Sequence, residues 1–163
     1  MPPDPKRLGK SGEFLFSFMF SYFDYFDVYF MGDRTPVIDF ILEINDKNTP
    51  YQCMVQVKST SKGVDEHGRL LAKLTETDKK KLISRPLPTY LVGIDLLKLD
   101  LYLCPIFDKK IKYSSYIQSV VVFSLYDEAK WQSSLEKLKD DVVNYWKSSG
   151  ITGKKEQYTS ILL

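Results

Sequence analysis

One histidine and two cysteines leave little room for zinc or thiol chemistry in this 163-residue sequence. His67 stands in "DEHGR" without partners at metal spacing, so it reads as a turn residue rather than a zinc ligand. Cys53 and Cys104 sit in apolar, strand-like runs and read as buried free thiols of a reducing cytoplasm. Neither is placed for nucleophilic catalysis, and no GxSxG elbow or glycine-rich phosphate loop occurs. Net charge is only +2, so any contact with nucleic acid or membrane must rest on a local patch. A long uninterrupted apolar run is also missing. In "EFLFSFMFSYFDYFDVYFM", Asp24 and Asp27 break the greasy stretch well short of the roughly 20 residues of a membrane span. Lys6, Arg7 and Lys10 precede it, as in a signal peptide, but no small-residue cleavage site follows, so a buried helix is expected.

What is present suits one α/β domain spanning 1–163. Residues 1–10 hold three prolines and several charges and read as a loose arm. Ser11 is the expected cap of a helix running from about Gly12 to Tyr25. "VIDFILEI" (37–44) alternates, and "YQCMVQVKS" (51–59) returns after the turn "NDKNTP", predicting a hairpin. A short strand at "RLLAKL" follows, then a helix "DKKKLISR" with Thr77 as cap, halted by Pro86 and Pro88. "TYLVGID" is apolar almost throughout, the mark of a central strand buried on both faces. "DLYLCPI" makes the next strand, and "VVVFSL" is either another or an apolar connection. Residues 127–149 carry a C-terminal helix, with Trp131, Leu135, Leu138, Val142 and Trp146 as its stripe. The tail after Gly150 has no readable pattern.

The hairpin holds the chemistry. Phe40, Leu42 and Ile44 share one face of its first strand, and Val55 and Val57 share one face of its second. Asp39 then lies on the opposite face of the first strand, with Gln56 and Lys58 opposite on the second. Because side and register are coupled in a sheet, the three polar groups should converge. Asp39 and the Gln56 carbonyl are hard oxygen donors suited to Mg²⁺ or Mn²⁺. Lys58 could orient a water or steady developing charge.

Gly12-Glu13 in a first helix, Asp39 in the next strand and Gln56-Val57-Lys58-Ser59-Thr60 closing the one after form an ordered set. That set resembles the PD-(D/E)xK nuclease superfamily, and within it a bacterial domain group whose motif is QxK rather than ExK. "RPLPTYLVGID" resembles the group's proline-marked strand, and the likeness spans roughly residues 9–107. It implies a restriction-endonuclease-like mixed central β-sheet flanked by helices. It further implies Asp39 as central metal ligand, Gln56 where many relatives carry glutamate, Lys58 as the catalytic lysine and Glu13 as an added ligand. Pro36 is not adjacent to Asp39, so the literal "PD" pair is absent, and Gln56 removes one negative charge from the site.

The expectation is a Mg²⁺- or Mn²⁺-dependent cytoplasmic DNA endonuclease, RNA being the other possible substrate. The family's company suggests bacterial defence against phages or plasmids, including short Argonaute systems. Lys62, Lys79, Lys80, Lys81 and Arg85, with Lys109, Lys110 and Lys112, are either a solvated surface or sequence-independent phosphate contacts. Glu43 shares the face of Asp39 and reads as an exposed strand-end acid rather than a second metal ligand. A small nuclease domain calls for a homo-oligomer or a separate sensing or targeting partner. Two other classes stay open: a catalytically dead nuclease fold that binds nucleic acid or organises an assembly, and a membrane-targeted protein using the Phe-rich segment.

Overall fold

The computed structural model describes residues 4–32, 35, 37–48, 50–106, 116–117, 121–150 and 160–162. Helix α1 (Pro5–Ser21) opens at Asp4, whose carboxylate accepts a hydrogen bond from Lys6 N at 3.1 Å. Asp-Pro supplies both the capping oxygen and a first residue whose φ is already helical. The cap is therefore Asp4, not Ser11, and residues 5–10 are helix rather than a loose arm. Ser11 lies inside α1 and donates back to Arg7 O at 2.9 Å.

Helix α1 also stops earlier than its apolar content suggests. Phe26–Phe30 is strand β1, with Phe26 buried and Asp27 exposed. Here the sequence period changes from that of a helix to that of a strand. The dense aromatics on both sides of the boundary hide the change.

Strand β1 pairs antiparallel with β2 (Phe40–Ile44), and β2 pairs antiparallel with β3 (Gln52–Thr60), giving the expected hairpin. Phe40 lies opposite Val55, and Leu42 opposite Cys53. After β4 (Leu70–Lys73) and α2 (Glu76–Ile83), the chain returns as β5 (Thr89–Asp95), parallel to β3. The cap of α2 is Thr75, whose hydroxyl accepts from Asp78 N at 3.1 Å, so the helix begins two residues before the position Thr77 would set. Strands β6 (Asp100–Pro105) and β8 (Val121–Ser124) extend the sheet antiparallel. The result is a six-stranded mixed sheet in the order β1-β2-β3-β5-β6-β8, with β4 and β7 (Tyr116–Ile117) as a small second sheet. Helix α3 (Glu128–Tyr145) runs on into a π turn at Trp146–Gly150.

The β-strand period sorts side chains into two cores. Phe40, Leu42, Val55, Val57, Tyr90 and Val92 meet α1 and α3 on one face. Leu91, Tyr102 and Cys104 meet Leu70 and Leu82 on the other. Strand β5 is covered on both sides, as its apolar run predicts. Trp131 Nε1 donates to Met19 O at 2.8 Å and fastens α3 to the end of α1. Both cysteines are buried free thiols, and burial pushes the Cys53 thiol far above its ordinary range, leaving it inert. No helix among the described residues is long and apolar enough to cross a membrane. Pro36, Lys109, Lys110, Lys112, and 151–159 of the tail lie outside the described residues.

Candidate active site

The site begins where the hairpin forks. Pairing between β2 and β3 runs out at Phe40 and Val55, with Asp39 N donating to Val55 O at 3.0 Å, yet β3 continues to Thr60. Past that point the edge of β3 facing β2 needs acceptors for its amides. The Asp39 carboxylate provides one. Its Oδ2 accepts from Val57 N at 2.7 Å and from Gln56 Nε2 at 2.7 Å. A side-chain carboxylate thus replaces the missing strand, which fixes its position to the sheet rather than to a loop.

Helix α1 adds the third element. At Gly12 a Cβ would come within 2.6 Å of Ser59 Cβ, and Ser59 Oγ donates to Leu8 O at 2.9 Å. The glycine of "GE" and the serine of "QVKST" are therefore packing partners, and their contact lays α1 across the end of β3. Glu13, next along the helix, then lines a cavity of about 380 Å³ together with Asp39. Lys6, Gly9, Lys10, Phe30 and Gly32 complete its wall.

Of the four residues singled out from the sequence, Glu13 and Asp39 share this cavity, and Gln56 is hydrogen-bonded to Asp39. Gln56 is 5% exposed and presents nitrogen, not oxygen, to the carboxylate, with Nε2 also donating to Val57 O at 3.2 Å. Its Oε1 is buried without a hydrogen-bond partner among the described residues. Lys58 does not line the cavity. Its Nζ lies 3.9 Å from Asp78 Oδ2 in the first turn of α2, close enough to Asp39 for its charge to favour the ionised carboxylate.

Burial nevertheless dominates at Asp39. Desolvation lifts its carboxyl above the ordinary 3.8, against the lowering effects of the Val57 amide and the Lys58 charge. A folded-state pKa above the unfolded one means that this group's contribution to stability is complete below 3.8. It is lost as pH rises through the raised value. Subtracting the stability–pH curve of Asp39→Asn from that of wild type, both measured in chelator by denaturant melts, is expected to isolate this falling limb. A difference curve that rises across the same window would contradict the assignment.

The remaining candidates scatter. Lys62, Lys80 and Lys81 are exposed, Lys79 lies 3.8 Å from Glu76, and Arg85 is partly buried just past α2. The Lys58–Asp78 pair brings the first turn of α2, and hence the start of this basic run, beside the site. Glu43 accepts from Gln52 at 2.5 Å at the end of β2 remote from Asp39. His67 occupies an exposed turn, its backbone N–H donating to Asp65. Lys6 and Lys10 escape a reading that takes residues 1–10 as a loose arm, and Phe30 escapes because β1 is hidden among aromatics. The Asp4-Pro5 capping pattern was the overlooked signal. Comparisons with protein-family models, curated proteins and solved structures give no match to this chain.

Proposed function

We propose that the chain is a divalent-cation-dependent nuclease acting on DNA. The observation carrying this reading is the Asp39 carboxylate, clamped at the β2–β3 fork by Val57 and Gln56 and sharing a cavity with Glu13. Glu13 and Asp39 bring two carboxylates to the cavity, and the Gln56 amide, bonded to Asp39, is the neighbouring group offered as third donor. That amide fits the role. Its Oε1 is a buried acceptor without a partner, and rotation about the last side-chain bond exchanges its oxygen and nitrogen. The desolvated Asp39 carboxylate likewise favours a cation beside it.

Asp39, Glu13 and the Gln56 oxygen would hold Mg²⁺ or Mn²⁺. When bound, the cation supplies Lewis-acid polarisation of a phosphate and a lowered pKa for water. The Val57 amide at the sheet edge keeps the Asp39 carboxylate aligned, whereas the Gln56 amide turns over to offer its oxygen and gives up its bond to Asp39. The Lys58 ammonium, 3.9 Å from Asp78 and with its charge felt at Asp39, would orient the attacking water or meet negative charge developing on the phosphate. One site cuts one strand, so duplex cleavage calls for a homo-oligomer or a targeting partner. Bacterial antiviral or anti-plasmid defence remains the biological setting proposed.

The test is hydrolysis of labelled DNA with Mg²⁺ or Mn²⁺ against chelator. Lys58→Ala is expected to slow cleavage by about 10²-fold while the thermal shift on adding cation persists. Cleavage that survives chelator, or that ignores Lys58, would exclude this mechanism. A second reading draws on Gln56, whose amide nitrogen already satisfies Asp39 without a cation: a nuclease fold that binds nucleic acid without cutting it. Binding by wild type with no hydrolysis under either metal would select that reading.

A further inference from the structure

The wall that α1 gives to the cavity has a composition that helix stability does not explain. Lys6, Gly9, Lys10 and Glu13 fall at helical spacing on one face of α1, and all four line the cavity. Like charges four residues apart repel, and cations near a helix N-terminus oppose its dipole. Both lysines are exposed, and neither has an ion pair among the described residues. Gly9 is stranger. Glycine weakens a helix interior, and unlike Gly12 it answers no close approach, since a Cβ there would meet nothing within 4 Å. A side chain at position 9 would intrude only on the cavity. Phe30, which also lines the cavity, is 60% exposed, its ring braced 5.3 Å from that of Phe40.

Taking the nucleic-acid reading above as premise, we infer that this wall seats a single DNA strand. A backbone phosphate lies between Lys6 and Lys10 over Gly9, and the adjoining base stacks on Phe30. The cavity is zoned for such a ligand, with cations where a phosphate rests and acids where a cation is needed. Stacking on Phe30 requires a base whose face is free, which a paired duplex hides between its neighbours. The strand entering this site is therefore single or locally unpaired.

Fluorescence anisotropy in chelator, with a labelled strand of about 12 nucleotides, the same sequence as duplex, and inorganic phosphate as competitor, tests the seat. Tighter binding of the single strand is expected. Lys6→Ala with Lys10→Ala should weaken it about 10-fold and reduce the logarithmic salt slope by about 0.7, the value for the one phosphate they share. Phe30→Ala should cost about 10-fold for the single strand and little for the duplex. Gly9→Leu should weaken binding without lowering the melting temperature. Equal or better binding of duplex, indifference to these variants, or displacement of the strand by phosphate at equal concentration would each overturn the proposal. Strand binding that depends on these residues without Mg²⁺-dependent cleavage removes the hydrolase and keeps the seat. Cleavage unchanged by all of these variants removes the seat and keeps the hydrolase.

Discussion

Asp39→Asn is expected to lower Mg²⁺-dependent DNA cleavage by at least about 10²-fold, the loss typical when a group placed for transition-state charge is removed. Asparagine keeps the shape of aspartate and can still accept from Val57 N, so the fork should survive. It loses the charge that a cation needs. Two readouts separate chemistry from folding. In chelator the variant should melt at or above the wild-type temperature near neutral pH, because it lacks the desolvated ionised carboxylate. With cation at about 100 times its dissociation constant, wild type should gain roughly 2.7 kcal/mol and the variant almost nothing. Cleavage by Asp39→Asn within a few-fold of wild type would remove Asp39 from the mechanism. A variant that simply unfolds would show instead that the carboxylate's charge holds the fork together.

The largest expected stability effect lies elsewhere, at Asp141 on α3. This carboxylate is fully buried and accepts from Tyr90 Oη at 2.5 Å, Ser160 Oγ at 2.9 Å and Ile161 N at 2.8 Å. It joins the central strand, the last helix and the segment 160–162. Asp141→Ala removes the shared acceptor of the buried Tyr90 and Ser160 hydroxyls and of the Ile161 amide, and a buried donor that loses its acceptor costs about 1–3 kcal/mol. A total loss of roughly 3–5 kcal/mol is expected by denaturant titration, equivalent to a fall in melting temperature of roughly 10 °C for a domain of this size. Asp141→Asn, which retains an acceptor, should recover part of it. A loss below about 1 kcal/mol would mean that the three donors find other partners.

Much of the architecture could be read in advance because it depends on local period. Alternation over 37–44 and 51–59 announced the hairpin, and the unbroken apolar run of β5 announced a strand covered on both faces. The stripe from Trp131 to Val142 announced α3. Local pattern misleads where two local rules compete. Ser11 and Asp4 are both good caps, and the Pro5 ring, helpful at the first helical position, settled the matter for Asp4. Thr75 and Thr77 competed in the same way, and Asp78 N went to Thr75. Strand β1 was lost inside a segment so rich in aromatics that neither period stood out.

Alternation alone assigns Asp39, Gln56 and Lys58 to one region, since it fixes the face of every residue in a hairpin. How they are used depends on packing between elements. Where β2 leaves β3 is set by packing between strands, and this is what turns Asp39 from a surface acid into a substitute for a missing backbone partner. The contact of Gly12 with Ser59 joins residues 47 positions apart and places Glu13, Lys6 and Lys10 around the same cavity. Local pattern carries periodicity and caps. Which surfaces touch depends on steric fit between elements distant along the chain, and no window of neighbouring residues contains it.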